Sequence, residues 1–210
     1  MNFLIADIES TGLLVKTPPY TEVVQFSGLL LDDSLEIIRV INRYCIPGVS
    51  MDAKAQEIHN LSIELLETLS DGKNFATIAT EEDLHSFSDV TWVFYNSSFD
   101  MKMINNTLIQ QGVSPINFGR RVSTLSLTNK GVFNFDLMPH TRSLNASVYN
   151  ISLSVAITKL VGYDNFRDEC VEFAKKYQID SDVLDGFHNA VYDCLAVRSL
   201  ILKYRTSLFW

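Results

Sequence analysis

Two acids stand at the end of an apolar run near the start of the chain. Phe3-Leu-Ile-Ala6 leads straight into Asp7, and Glu9 follows two residues on. A short continuous apolar run of this kind is the pattern of a strand buried on both faces. Side chains in a strand alternate faces with a period of two, so Asp7 and Glu9 project from one side. Two neighbouring carboxylates at the end of a buried strand repel each other and are costly to desolvate. A divalent cation such as Mg²⁺, which takes carboxylate oxygens, relieves both costs. A frayed strand end carrying two solvated acids is the other reading, and this stretch alone does not choose between them.

Two further segments bear on the choice. Val90-Thr-Trp-Val-Phe-Tyr95 has strand composition, Asn96-Ser-Ser98 is a short polar loop, and Phe99 to Ile109 has helical spacing that closes near Gly112. Asp100 thus falls in the first turn of a helix beside the C-terminal end of a strand, where α/β sheets place their ligands. As a lone residue it reads first as an acid complementing the helix dipole. His188-Asn-Ala-Val-Tyr-Asp193 puts a histidine at a helix start and an aspartate about one turn in, among Ala190, Val191, Leu195, Ala196 and Val197. An acid on the inner side of such a helix needs a partner, and the carboxylates of the opening strand with a metal supply one. Imidazole, with an ordinary pKa of about 6.5, accepts a proton at neutral pH. His188 is therefore a candidate general base as well as a candidate structural or solvated histidine.

Taken together, Asp7-x-Glu9-x-Thr11-Gly12, Asn96-x-x-Phe99-Asp100 and His188-x-x-x-x-Asp193 closely resemble the three motifs of the DEDDh (DnaQ-like) 3′-to-5′ exonucleases. Lesser echoes lie between them. Glu22-Val-Val-Gln-Phe-Ser-Gly28 resembles the family's second strand, Ile58-His59-Asn60-Leu61 its I-H-G-I segment, and Ile151 to Gly162 the small helix before the last motif. The resemblance implies a ribonuclease H-like α/β fold with a central mixed five-stranded sheet flanked by helices. It also implies two-metal hydrolysis of phosphodiester bonds, with Mg²⁺ or Mn²⁺ as the two divalent ions. By position, Asp7 would bridge both ions, Glu9 and Asp193 would complete the nucleophile-side site, Asp100 would hold the other ion, and His188 would be the general base. Ser10, Thr11 and Gly12 would lie along the terminal nucleotide, with His59 and Asn96 as further substrate contacts.

The chain departs from the pattern in three places. Ser123-Thr124 stands where members often carry Asp-Thr, Asn60 replaces the usual Gly after His59, and the stretch between Gly162 and His188 is long. None touches the five catalytic positions. The expected activity is hydrolysis from the 3′ end of single-stranded nucleic acid, DNA favoured over RNA, releasing nucleoside monophosphates in DNA replication or repair. The competing reading is a catalytically idle nucleic-acid- or polymerase-binding module of the same fold. Such a copy is expected to lose at least one of the five positions, and none is lost.

The elements that must position these residues follow from local pattern. After the turn-rich link 13–21, with Pro18-Pro19, two β-rich runs cover 22–31 and 35–44, joined by a hairpin turn at Asp32-Asp-Ser34. Helices are expected over 50–59 and 62–69. The capping-box form Thr80-Glu-Glu-Asp83 predicts one from Glu81 toward Phe87, with its acids in the first turn. Residues 120–130 are read as a helix and 131–150 as a loop near the substrate. Helices follow over 151–160, 166–177 and 189–204, with a linker over 180–186. The whole chain, 1–210, is expected to form one exonuclease domain with a helical insertion around 163–187.

Bulk properties narrow the class. At 210 residues, 47% hydrophobic and 20% charged, the composition is that of a globular protein with a full core. No apolar run is long enough to span a bilayer, and the N-terminus lacks the charged and apolar regions of a secretory signal, so a cytoplasmic protein without membrane contact is expected. Cys45, Cys170 and Cys194 form no paired motif and read as reduced, buried thiols. A net charge of −8 argues against wrapping long duplex DNA but not against gripping a few nucleotides. A polymerase or other replication protein, and a second copy in a homodimer, are the partners left open. The apolar end Ser207-Leu-Phe-Trp210 is expected to pack back on the domain.

Overall fold

The computed structural model describes residues 2–128, 130–144, 152–179 and 186–209. In chain order it contains β1 (Asn2–Ser10), β2 (Val23–Leu31), β3 (Ile37–Tyr44), α1 (Ala53–His59), α2 (Ile63–Leu69), α3 (Phe75–Glu81), β4 (Val90–Phe94), α4 (Ser97–Gln110), β5 (Arg120–Val122), β6 (Phe133–Asp136), α5 (Met138–Leu144), α6 (Leu153–Ala156), α7 (Tyr163–Tyr177), α8 (Ala190–Lys203) and α9 (Arg205–Leu208). A π-helical turn over Ile157–Val161 continues α6.

The strands form one mixed sheet in the order β3-β2-β1-β4-β6-β5. β1 and β2 are antiparallel, as are β2 and β3, while β1, β4, β6 and β5 run parallel. The C-terminal ends of β1, β4 and β6 therefore share one edge, and Asp7 and Glu9, the residues following β4 and the end of β6 all meet there. The opening apolar run has its buried-strand character because helices cover both faces of the sheet. Phe3 and Ile5 join Leu29, Val93, Phe135, Phe166, Val191 and Leu195 in one core. Leu4, Ala6 and Ile8 join Phe26, Phe75, Trp92, Phe94, Ile104 and Leu108 in the other. Asp7 and Glu9 continue the parity of Phe3 and Ile5, which is the face that carries α8.

The structure corrects the element reading in four places. The sheet has six strands rather than five. The helix expected from Glu81 instead ends there: α3 is capped by Asn74, whose Oδ1 accepts from Thr77 N, and the Thr80 hydroxyl donates back to Ala76 O rather than capping a new helix. Residues 120–122 form the edge strand β5, not a helix. It is too short to display a period and depends on its neighbour β6. Gly119 turns the chain into it at φ +66°, and a Cβ there would lie 1.8 Å from Val132 O, so only glycine fits. Residues 133–136 and 138–144, expected as loop, are β6 and α5. Residues 145–150 of that stretch, and 180–185 of the linker expected over 180–186, lie outside the described residues.

The other elements agree with the reading to within a few residues. α7 buries Phe166, Cys170, Phe173 and Ala174 in the first core. The three cysteines are free and buried. The C-terminal segment packs back as expected: Leu208 is buried and Phe209 meets Phe3 edge-on at 5.5 Å, while Trp210 is outside the described residues. Among the described residues, no helix is long and apolar enough to cross a membrane.

Candidate active site

Four acids converge at the C-terminal edge of the parallel strands. Asp7 and Glu9 come from β1, Asp100 from the first turn of α4 and Asp193 from the first turn of α8. Glu9, Asp100 and Asp193 are buried and Asp7 is half-buried. Every ion pair among the described residues lies elsewhere, so no lysine or arginine neutralises this group.

The electrostatic consequence is that all four carboxyls bind their protons more tightly than an ordinary carboxyl does. Burial and the charges of Asp193, Asp100 and Glu9 push Asp7 well above the ordinary aspartate range. Burial, then Asp193 and Asp100, push Glu9 up to about 8. Burial drives Asp100 to about 8 against the hydrogen bond from its own backbone N–H, with Asp136 and Asp193 adding to the rise. Burial drives Asp193 to about 7, opposed by the N–H of His188.

His188 belongs to the same group. Its side chain is exposed, and a ring nitrogen lies within 4.8 Å of carboxylate oxygens of both Glu9 and Asp193, which are equally close to each other. Its backbone N–H donates to Asp193 Oδ2 at 3.3 Å, and its φ of +69° is left-handed. A non-glycine residue in that conformation costs about 1–3 kcal/mol and clusters at functional sites. Among the described residues, Asp193 Oδ1 is buried without a hydrogen-bond partner. An orphaned buried carboxylate oxygen, beside three other acids and an imidazole, is the donor set that a hard divalent cation takes.

The remaining expected residues sit around this group with different degrees of freedom. Asn96 is exposed at the start of α4, and its carbonyl accepts from Phe99 and Asp100 N–H. Ser10 follows a register shift between Glu9 and Ser10, and its hydroxyl donates to Gly12 O at 2.9 Å. The Thr11 hydroxyl accepts from Glu22 N, its N–H donates to Glu22 O, and its carbonyl accepts from Asp52 N, so this residue is consumed in fixing the loop. A Cβ on Gly12 would press against Asp52 Cβ at 3.3 Å and Thr21 Cγ2 at 3.4 Å. Buried His59 accepts from Leu61 N at Nδ1, leaving Nε2 to donate to Ser10 O at 3.2 Å. One ring nitrogen thus holds the loop after Glu9 and the other the turn after α1, and burial lowers its pKa, which keeps it neutral. Asn60 caps α1 in the left-handed conformation (φ +59°), which explains how asparagine serves where glycine is usual.

One acid beside the site escaped the sequence reading. Asp136 ends β6 opposite Phe94, and its Oδ2 accepts from Ser97 Oγ and from Arg121. A buried acid is therefore present on this side of the sheet, although Ser123 is not one. The signal was there in Phe133-Asn-Phe-Asp136, another hydrophobic-flanked run ending in aspartate, but the run is too short to stand out.

This arrangement, a mixed sheet with β1 central and acids at the C-terminal edge of its parallel strands, defines a ribonuclease H-like, DnaQ-like domain. The chain belongs to the exonuclease family: the family's sequence model (RNase_T, exonuclease) matches residues 4–200. No curated protein sequence matches the chain. Among solved structures it is similar to Escherichia coli exonuclease I in complex with a dA16 oligonucleotide, at 18% identity and a TM-score of 0.67 over 98% of this chain and 41% of that one. It is also similar to the zinc-bound form of the E. coli exonuclease I complex with single-stranded DNA, at 18% identity and a TM-score of 0.67 over 98% and 40%. The exonuclease I of Methylocaldum szegediense matches at 17% identity and a TM-score of 0.65 over 98% and 40%. The chain thus spans about two fifths of the exonuclease I chains it matches.

Proposed function

We propose that the protein is a metal-dependent 3′-to-5′ exonuclease of the DEDDh type that acts on single-stranded nucleic acid, with DNA as the favoured substrate. The observation that carries this reading is the group of four acids, three of them buried, with no basic partner and a histidine against two of them. Exonuclease I structures bound to single-stranded oligonucleotides support the substrate class.

Asp7, Glu9, Asp100 and Asp193 would hold two divalent cations, Mg²⁺ or Mn²⁺, because the donors are hard carboxylate oxygens and the carboxyls must lose their protons to act as ligands. Bound there, the ions would supply electrostatic stabilisation of the charge that builds on the phosphoryl oxygens. His188 takes the proton of the attacking water at its ring nitrogen. Its exposure lets that proton pass on to solvent. The loop Ser10-Thr11-Gly12, locked by Thr11, Glu22, Asp52 and His59, presents a rigid backbone to the terminal nucleotide. Exposed Asn96, at the start of α4, offers an amide as a further substrate contact. Activity within a polymerase assembly or as a homodimer belongs to the same proposal, as does a role in replication or repair.

The test is release of mononucleotides from a labelled single-stranded oligomer, with the label placed at either end and with Mg²⁺, Mn²⁺ or EDTA. Stepwise shortening from the 3′ end that stops in EDTA is expected. No metal-dependent shortening of DNA or RNA oligomers of any length would sink the reading.

A further inference from the structure

The start of α8 carries both His188 and Asp193, and the contacts that hold it against the sheet involve a residue outside the catalytic set. Gln25 on β2 is fully buried and pairs directly with Glu9 of β1. Its Oε1 accepts from the N–H of Ala190, the first residue of α8, at 3.2 Å. Its Nε2 donates to Asn189 Oδ1 at 3.2 Å and to Asn42 Oδ1 on β3 at 2.9 Å. Asn42 Oδ1 also accepts from Ser27 Oγ at 2.8 Å, and the Tyr44 phenol bonds with the side chains of Asn42 and Asn189. One turn along, Cys194 Sγ lies 3.7 Å from Ile5 O and 3.5 Å from Ser27 O, which brings the helix close on β1 and β2.

We infer that Gln25 is a positioning residue for hydrolysis: its carboxamide clamps the N-terminus of α8 to β2 and thereby holds His188 and Asp193 against Glu9. The inference rests on the nuclease reading above. First-turn N–H groups of a helix have no partner within the helix. Asn189 Oδ1 caps Val191 N, but the N–H of Ala190 is satisfied from the sheet by Gln25. The residue just before this clamp is His188 with its left-handed backbone, a conformation that persists only where surrounding contacts over-determine it. An amide suits position 25: it donates and accepts at once, whereas an ionised carboxylate would place a negative charge across from Glu9 and lose both donor bonds.

The substitution Gln25→Met keeps the volume and removes the clamp. Misplacing a catalytic group by about 1 Å can cost about 100-fold, so single-turnover hydrolysis by folded Gln25→Met is expected to slow by about 10- to 100-fold with KM changed by less than about threefold. In a His188→Ala background the same substitution should cost several-fold less than in the wild type, because one of the two groups it positions is gone. Amide hydrogen exchange at Ala190 and Val191 should speed up while β1 is unaffected. Asn189→Ala, which removes one arm of the clamp, should show the same pattern at smaller size if Gln25→Met does not fold. An unchanged rate in folded Gln25→Met, or an equal loss with and without His188, overturns the inference. If the wild-type protein shows no metal-dependent hydrolysis, the nuclease reading fails instead, and exchange at Ala190 still decides whether the clamp exists.

Discussion

Two sets of buried acids lie around the same sheet and are treated in opposite ways. Glu22 and Glu82 are 2% and 4% exposed, as buried as Asp100 at 4% and Asp193 at 8%. The Glu22 carboxylate accepts from Gly48 N, Gln110 Nε2 and Gln111 Nε2. Glu82 is gripped by Arg39 and Arg43 of β3. Asp7, Glu9, Asp100 and Asp193 instead face one another, with a histidine at the margin and one orphaned oxygen. Burial alone therefore does not mark a functional acid. The mark is burial beside other acids with no cationic side chain paired to them among the described residues, a cost that a bound cation would offset.

The comparison breaks most sharply at Asp7. Asp7→Ala should lower hydrolysis by more than about 10³-fold, since the lost electrostatic stabilisation is worth several kcal/mol and each 1.4 kcal/mol is about tenfold. Circular dichroism should show the fold intact. Appreciable activity in folded Asp7→Ala would mean that the cluster is structural, like Glu22 and Glu82. His188→Ala should cost about 10²- to 10⁴-fold in kcat, the range for general-base removal. Because its side chain is exposed, the melting temperature should hardly change.

Stability without metal should separate the two sets by pH. Glu9 and Asp100 titrate near 8 and Asp193 near 7 in the folded chain, against about 4 when unfolded. The folded state keeps protons that the unfolded chain has already released, so in EDTA stability should fall as pH rises from about 4 through about 8. Asp100→Asn should lessen that fall. Mn²⁺ at about 100 times its dissociation constant should restore about 2.7 kcal/mol at pH 8, a rise of several degrees in Tm by differential scanning fluorimetry. A flat pH profile in EDTA, or a Tm indifferent to Mg²⁺ and Mn²⁺, would remove the contrast. The smallest effect belongs to the satisfied set. Glu22→Ala leaves three donors unpaired and should cost about 2 kcal/mol in urea denaturation, with activity per folded molecule unchanged.

Much of this site could be read from residue order, because its parts are local patterns. An apolar run ending in Asp7-x-Glu9, a strand–loop–helix unit carrying Asp100 and a helix start carrying His188 and Asp193 each show their geometry over a few residues. The acids' common location follows once β1 and β4 are parallel neighbours. The readings that failed were those in which local signals point the wrong way or are too short. Thr80-Glu-Glu-Asp83 has the form of a helix start, yet its acids serve β3 and neighbouring turns: Glu82 was drawn to Arg39 and Arg43, and Asp83 adopts φ +57°. β5 and β6 are three and four residues long, so pairing along the sheet defines them rather than periodicity.

Residue order alone is enough to pick out the candidate groups and the elements that bear them, since charge, apolar runs and turn residues act over a few positions. The state of those groups is settled only in the assembled fold. Whether an acid is neutralised depends on donors far away in sequence, as with Glu22 and Gln110 or Glu82 and Arg39. The same holds for His59, whose ring is spent on Ser10 and Leu61, and for Gln25, which meets the start of α8 across 165 positions. Desolvation and hydrogen-bond satisfaction are properties of assembled surroundings, and no local run of residues contains them.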